Sequence, residues 1–306
     1  MKLFLRAFLL LFLIPAFACA EPLSCPVVRE ISWGDGIGRL GIIFQDRGQL
    51  PEGPFMGPGG FRVDADGGIW ISDSVQKAVK RFARDGGVLS YAVKAAKLGD
   101  LFLLGNEFAV ITGSPDGIAF IDRTTGSETR RIDTKVLLRG RLNVIDKDHI
   151  AVGGNEGGVF LYMGKTWEMH PAPALEPVGT SKTLFGTLYE FDAASRVIIR
   201  AGWTGEASDP DVFARYKVSG TNEIVFSRLL GMAGDFPAFM LVTRAEPNVY
   251  RIVRFDADGK VVSELQVPIF PGCPLPAPWI QGEDGVLYAA EADENAFRIR
   301  RGPTLK

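Results

Sequence analysis

An all-β propeller of radially repeated antiparallel sheets, six by length, is the fold class this chain predicts. Three observations carry the expectation. Residues 57–82, GPGGFRVDADGGIWISDSVQKAVKRF, read as two strands around an Asp66-Gly67-Gly68 turn, then a polar turn beginning Asp73-Ser74 and a third strand ending at Phe82. A weaker copy returns at 279–300, WIQGEDGVLYAAEADENAFRIR, where aligning Asp66-Gly67 with Asp284-Gly285 puts Trp70 on Tyr288, Asp73 on Glu291 and Val79 on Phe297. Between them, β-rich runs broken by Gly, Asp, Asn and Pro recur every 40–45 residues or so, the spacing of four-stranded propeller blades. A β-sandwich or open barrel shares regular strands and Asp-Gly turns. The internal repeat decides for the propeller, and five or seven blades stay open as alternatives.

Taken in order, residues 27–33 form a first strand, and a glycine-rich connection through Gly34-Asp35-Gly36 leads to Met56. The first full meander covers 61–93. Residues 102–132 follow, with breaks at Gly105-Asn106, Ser114-Pro115-Asp116-Gly117 and Thr124-Thr125-Gly126. Further sets are expected at 141–170, 183–218, 226–267 and 279–301. The strand at 27–33 completes the sheet begun by the last set, which closes the ring and hides both edges.

The first 25 residues, MKLFLRAFLLLFLIPAFACAEPLSC, place Lys2 and Arg6 before an apolar run over 9–14 and a small-residue site, Ala18-Cys19-Ala20. That pattern is a secretory signal peptide over 1–20, too short and wrongly flanked for a membrane span, with a single propeller domain over 21–306. Ala16-Phe17-Ala18-Cys19 loosely matches a bacterial lipobox. The Leu expected three residues before the Cys is missing and Phe17 is bulky, so cleavage after Ala20 is expected rather than a lipid anchor on Cys19. The chain carries 34 basic and 36 acidic residues. Cleavage removes Lys2 and Arg6, leaving 32 against 36 and a net charge of −4. The charges are mixed along the chain, which argues against nucleic acid and anionic membrane as partners. The expected setting is the periplasm or the cell exterior. There Cys25 and Cys273, near opposite ends of the domain, pair as a disulfide across the seam, and closing so long a loop contributes about 5 kcal/mol in the chain-entropy model.

The first repeat resembles an NHL-type propeller repeat: Gly57-Pro58, an apolar strand over 61–64, Asp66-Gly67, an aromatic-bearing strand over 69–73 and a strand over 79–82. The resemblance extends to 279–300 and to the end of a repeat near 250–259, about a third of the chain. It implies a propeller, a fold shared by binding scaffolds and some enzymes. A second resemblance is to the gluconolactonase and senescence-marker-protein group, whose first blade opens with a Glu-Gly-Pro motif that supplies one metal ligand; Glu52-Gly53-Pro54 matches it as written. That resemblance implies Ca²⁺ or another divalent cation held on the channel axis and lactone hydrolysis. Glu52 is better read as part of an exposed Pro/Gly-rich loop, since Ca²⁺ needs six or more oxygens from several segments.

Other candidates are weighed residue by residue. His149 and His170 are the only histidines and fall at predicted turns; two cannot build a three-His zinc site, and no Gly-x-Ser-x-Gly elbow marks a nucleophile. Asp66, Asp85, Asp258 and Asp284 suit turn capping. Asp73 and Glu291 align and open the turn between a repeat's second and third strands, where a propeller face gathers ligands. The glycine stretches at 34–41, 57–60 and 153–158 lack Gly-Lys-Ser/Thr and read as turns. The five tryptophans favour packing between blades, with Trp203 the best candidate to stack on a ligand. The functional expectation is a non-catalytic recognition scaffold for a protein or small ligand, with a ligand face marked by Asp73, Glu291 and Trp203 and no cofactor. A metal-dependent hydrolase built around Glu52 is the alternative.

Overall fold

The computed structural model describes residues 24–43, 56–153, 159–170, 176–178, 187–192, 197–202, 211–217, 224–233, 236–243, 246–256, 258–268, 270, 275 and 279–304. The segment 1–20, Glu52, Trp203 and Cys273 lie outside them. The described residues contain no helix, so none is long and apolar enough to cross a membrane. They form strands β1 (Val27–Ser32), β2 (Pro58–Val63), β3 (Ile69–Asp73), β4 (Ala78–Phe82), β5 (Val88–Ala92), β6 (Lys97–Leu104), β7 (Glu107–Gly113) and β8 (Gly117–Asp122). Next come β9 (Glu128–Asp133), β10 (Arg141–Asp146), β11 (His149–Gly153), β12 (Val159–Met163), β13 (Trp167–His170), β14 (Glu176–Val178), β15 (Thr187–Asp192) and β16 (Val197–Gly202). The last are β17 (Asp211–Lys217), β18 (Ile224–Ala233), β19 (Phe236–Thr243), β20 (Glu246–Phe255), β21 (Val261–Pro268), β22 (Trp279–Gln281), β23 (Val286–Ala292) and β24 (Ala296–Thr304).

The chain is a β-propeller. Its strands group into six four-stranded antiparallel sheets: β2–β5, β6–β9, β10–β13, β14–β17, β18–β21, and β22–β24 with β1 added outside β24. Innermost strands meet their neighbours in a cycle. Strand β2 lies against β6, β6 against β10, β14 between β11 and β18, and β22 against both β18 and β2. Strand β1 pairs with β24 from Val27↔Arg300 to Ser32↔Ala296. Trp33, expected at the end of that strand, instead makes a single parallel bridge to Leu40.

The packing explains the pattern of β3. Ile69 and Ile71 point toward the sheet of β22–β24 and join Phe61, Val63, Ile280, Phe297 and Ile299 in one apolar cluster. Trp70 points the other way, into a cluster with Val79, Tyr91, Leu98, Leu101 and Phe108. A strand sandwiched between two neighbouring sheets buries both faces, so every residue of IWISD is buried and its first three are apolar without alternation. The outer strand β5 is largely exposed, and on the one face shared by Leu89 and Tyr91 only Tyr91 is buried.

Two expectations change. Gly57–Gly60 was expected as a turn, yet Gly59 and Gly60 lie in the innermost strand β2, where a methyl group on Gly59 would sit 2.5 Å from the Leu98 carbonyl oxygen and one on Gly60 would strike Asp100. The glycines permit the close approach of β2 to β6. The alignment of Val79 with Phe297 also shifts. Trp70 opposes Arg81 and Tyr288 opposes Arg301, so β23 follows β3 at an offset of 218 residues (288 − 70) while β24 follows β4 at 220 (301 − 81). The hairpin of the last sheet is two residues longer, and Val79 corresponds to Ile299.

Candidate functional site

Three consecutive innermost strands are joined by one buried ion pair. Arg62 on β2 donates from Nη1 to Asp100 Oδ1 (3.0 Å) and from Nη2 to Asp100 Oδ2 (2.7 Å), while Asp100 on β6 also accepts the backbone N–H of Leu142 on β10 at 2.9 Å. The two-point geometry satisfies both partners away from water. Arg141 on β10 donates to the carbonyl of Leu230 on β18 at 3.3 Å, two sheets away. Among the described residues, no three His, Cys, Asp or Glu side chains group as metal ligands.

The aligned acids Asp73 and Glu291 keep the same kind of partner. Asp73 is shut off from solvent, 3.1 Å from Lys80 Nζ, and accepts the N–H of Gly41 (2.9 Å) and of Gln76 (3.0 Å). Lys80 also donates to Gly36 O, Arg39 O and Gln76 Oε1, so this pair anchors the glycine-rich connection after β1. Glu291 accepts Arg300 Nε at 2.6 Å with less complete burial. Arg300 corresponds to Lys80 once the two-residue insertion is counted.

Turn capping falls partly on other residues than expected. Asp85 caps Gly87 and Asp284 caps Val286. In the other two turns the capping residue lies two positions earlier: Asp64 Oδ1 accepts the N–H of Asp66 (3.1 Å) and Gly68 (2.7 Å), and Asp256 Oδ1 accepts that of Asp258 (3.0 Å) and Lys260 (2.8 Å). Asp66 and Asp258 are exposed, and at these two turns Asp64 and Asp256 already hold the turn N–H groups that Asp85 and Asp284 cap in theirs. His149 opens β11 with Nδ1 2.9 Å from Asp146 Oδ1. Cys25 is buried beside Trp279 and Leu287, and burial pushes its thiol pKa up. Of the remaining tryptophans, Trp70 and Trp279 are buried between sheets as expected.

The same Asp64 organises a recess that spans three sheets. Its Oδ2 accepts Trp70 Nε1–H at 2.8 Å and Arg81 Nε–H at 2.9 Å. Burial alone would raise the Asp64 pKa, but these bonds and the Gly68 N–H outweigh it and hold the carboxyl below its ordinary value. Tyr91 stacks on Trp70 with ring centres 5.6 Å apart and planes 15° from parallel. The guanidinium of Arg81 lies 5.7 Å from the Trp70 ring centre and that of Arg123 lies 5.2 Å from it. Arg123 comes from the β8–β9 turn and is held by its Nε–H to Glu107 O (3.0 Å), while Tyr91 Oη–H donates to the Arg123 carbonyl (2.7 Å).

One end of Arg123 is left over. Its Nη2 is excluded from solvent and makes no hydrogen bond; the nearest carboxylate oxygen, Glu283 Oε1 from the β22–β23 turn, is 3.9 Å away. Burial lowers the Arg123 pKa, with Glu283 and Asp64 opposing the shift. Arg81 Nη2 likewise lies 4.0 Å from the exposed Asp66 carboxylate. Leu89 and Tyr91 complete a recess of about 270 Å³. The arrangement places two guanidinium groups over an aromatic floor, with the carboxylates of Asp64, Asp66 and Glu283 around them. Reading the sequence missed it, because Arg123-Thr124-Thr125-Gly126 reads as a turn and Glu283 lies 160 residues further on. The available signal was an Arg following the strand-end Asp122 next to a blade whose outward face carries Trp70 and Tyr91.

The chain matches no family model and no curated protein. Solved structures resemble it in shape. A protein of Bacteroides fragilis classed as exported superposes with a TM-score of 0.51 at 9% identity, covering 92% of this chain and 95% of that one. A chain of the mitotic checkpoint complex gives 0.50 at 11% identity, covering 79% and 86%. Regucalcin, a calcium-binding protein of Agrobacterium tumefaciens, gives 0.47 at 15%, covering 84% and 96%. At such identities the likeness extends to the fold alone.

Proposed function

We propose that this chain is an exported, six-bladed recognition propeller that binds a ligand, without transforming it, in the recess between Asp64 and Arg123. The observation that carries the reading is the buried Nη2 of Arg123, a charged donor with no acceptor in hydrogen-bond reach above a stacked Trp70–Tyr91 pair. An unpaired buried donor costs about 1–3 kcal/mol, a cost that a bound acceptor removes. The innermost strands support a scaffold rather than a reaction centre, since Asp100 spends both its oxygens on Arg62 and Leu142.

The test is a melting-temperature screen of the mature chain against a mixed library of small acids, sugars, nucleotides and short peptides, with Arg81→Gln and Arg123→Gln variants alongside. Stabilisation that depends on ligand concentration and disappears in the variants is expected. Metal-dependent lactone hydrolysis, lost on Glu52→Gln, would replace the reading with the hydrolase that the Glu52-Gly53-Pro54 resemblance implies.

A further inference from the structure

The recess contains its own stand-in for a ligand. Glu283 comes from the last sheet, crosses the face of the first and ends at Arg123 of the second, yet stops at 3.9 Å, beyond a hydrogen bond. Its other oxygen accepts the N–H of Ala65 at 3.1 Å. The side chain is 42% exposed and is therefore cheap to move. Everything it approaches is fixed: Arg123 by Glu107 O and the Trp70 ring, Arg81 by Asp64, and Trp70 by Asp64 and Tyr91.

Resting on the recognition reading above, we infer that the ligand is a monocarboxylate with a flat or apolar body, and that it binds by taking the place of the Glu283 carboxylate at Arg123. Charge selects the class. Asp64, Asp66, Glu283, Arg81 and Arg123 line the recess, so the site already holds three carboxylates against two guanidinium groups. A single carboxylate that displaces Glu283 into solvent leaves the local charge unchanged and gives Arg123 Nη2 the short charge-assisted bond it lacks. A dianion such as phosphate would add negative charge beside Asp64, which is already supplied with donors from Trp70, Arg81 and the turn. Shape selects the body. The wall is Leu89, half exposed, with Tyr91 and Trp70 beneath, and such a surface favours a ring or a branched apolar group next to the acid.

The experiment is calorimetric titration of the mature chain with N-acetylphenylalanine, its uncharged amide, benzoate and inorganic phosphate, repeated on Arg123→Gln and Glu283→Gln. The acid is expected to bind and the amide to bind at least about tenfold more weakly, the size of one charge-assisted hydrogen bond. Arg123→Gln should cause a similar loss. Glu283→Gln is the decisive variant: glutamine keeps an acceptor for Ala65 and removes the competing charge, so affinity for the acid should rise severalfold. Benzoate distinguishes a free aromatic acid from a peptide terminus by binding as well as N-acetylphenylalanine or far less. Equal binding of acid and amide, or unchanged or weaker binding of the acid by Glu283→Gln, overturns the inference. If phosphate or another library compound binds in an Arg123-dependent way and carboxylates do not, the inference falls and the recognition reading stands. If no compound binds in an Arg123-dependent way, both fall. Should Arg123→Gln fail to fold, Glu283→Gln, a change on an exposed turn, still decides.

Discussion

Lys80 meets Asp73 at 3.1 Å with both side chains sealed from water, and the same pairing recurs in the last sheet, where Arg300 meets Glu291 at 2.6 Å. The first pair ties the connection after β1 to the first sheet through the carbonyls of Gly36 and Arg39 and the N–H of Gly41. Removing one member strands the other in a dry interior. Asp73→Ala should therefore destabilise the fold by about 3–5 kcal/mol. Glu291→Ala, at a less buried pair, should cost about 1 kcal/mol. Urea unfolding of the two variants checks the ranking, and equal losses would contradict it.

Arg62 and Asp100 make a second test of buried charge. Arg62→Met should destabilise by about 3–5 kcal/mol because Asp100 keeps its charge with only the Leu142 N–H to satisfy it, whereas Arg62→Met with Asp100→Leu should recover most of that loss. Thermal unfolding of the single and double variants separates the cost of an orphaned charge from the value of the pair.

Glycines divide by what surrounds them. Gly59→Ala would press a methyl group on the Leu98 and Gly99 carbonyls and should cost about 1–3 kcal/mol. Gly67→Ala sits at φ +79° and should cost about 1–2 kcal/mol for backbone reasons alone. Gly38→Ala meets nothing within 4 Å and should be nearly neutral. Chemical denaturation of the three gives the order directly.

Acid should loosen the turn at Asp64. Its folded pKa is depressed, so the stability it contributes is fully present above the ordinary aspartate value near 3.9 and is lost as pH falls through the lower folded value. Melting temperature measured from pH 6 to pH 2 should fall more steeply in the wild type than in Asp64→Asn, which begins lower. At the other extreme, burial and the Asp284 carboxylate push the Tyr288 pKa up to about 12. A tyrosine whose folded pKa is raised stabilises the fold below its unfolded value near 10, and that contribution is lost as pH rises toward 12. Absorbance titration should show late tyrosine ionisation, and its latest phase should move to lower pH in Asp284→Asn.

The seam gives a covalent prediction. Cys25 is buried on the chain that Arg300 Nη1 holds by its carbonyl at 3.0 Å, and Cys273 precedes β22 by six residues in sequence. Peptide mapping of the exported protein without reductant should recover Cys25 and Cys273 in one linked peptide. Separate peptides carrying alkylated cysteines would exclude the bond.

The fold was far more legible than the site. The β-rich runs broken by Gly, Asp, Asn and Pro, the Asp66-Gly67 and Asp284-Gly285 turns and the copied meander are local signals, and each follows from the strand or turn it lies in. The recess depends on neighbours that no local pattern couples: Glu283, Asp64 and Arg123 belong to three sheets and meet only because the ring brings their turns to one face. Asp73 and Glu291 were singled out correctly as equivalent positions, but their partners two residues past the facing position depend on hairpin register, which the two-residue insertion before β24 concealed. The glycines of β2 misled for a related reason. A run such as Gly-Pro-Gly-Gly looks the same whether it makes a turn or lets two strands approach closely.

Strand β1 completes a sheet whose other strands lie at the opposite end of the described residues. Its partner β24 lies at the far end of the described chain, and Glu30 meets Arg298, 268 positions further along the sequence. The opening strand therefore has no sheet partner until the closing residues of the last sheet are in place. The ring thus carries a built-in check on completeness: a chain stopped before β24 leaves an open sheet edge at one end and a bare strand at the other, the two features that mark a polypeptide for degradation or for mispairing with its neighbours.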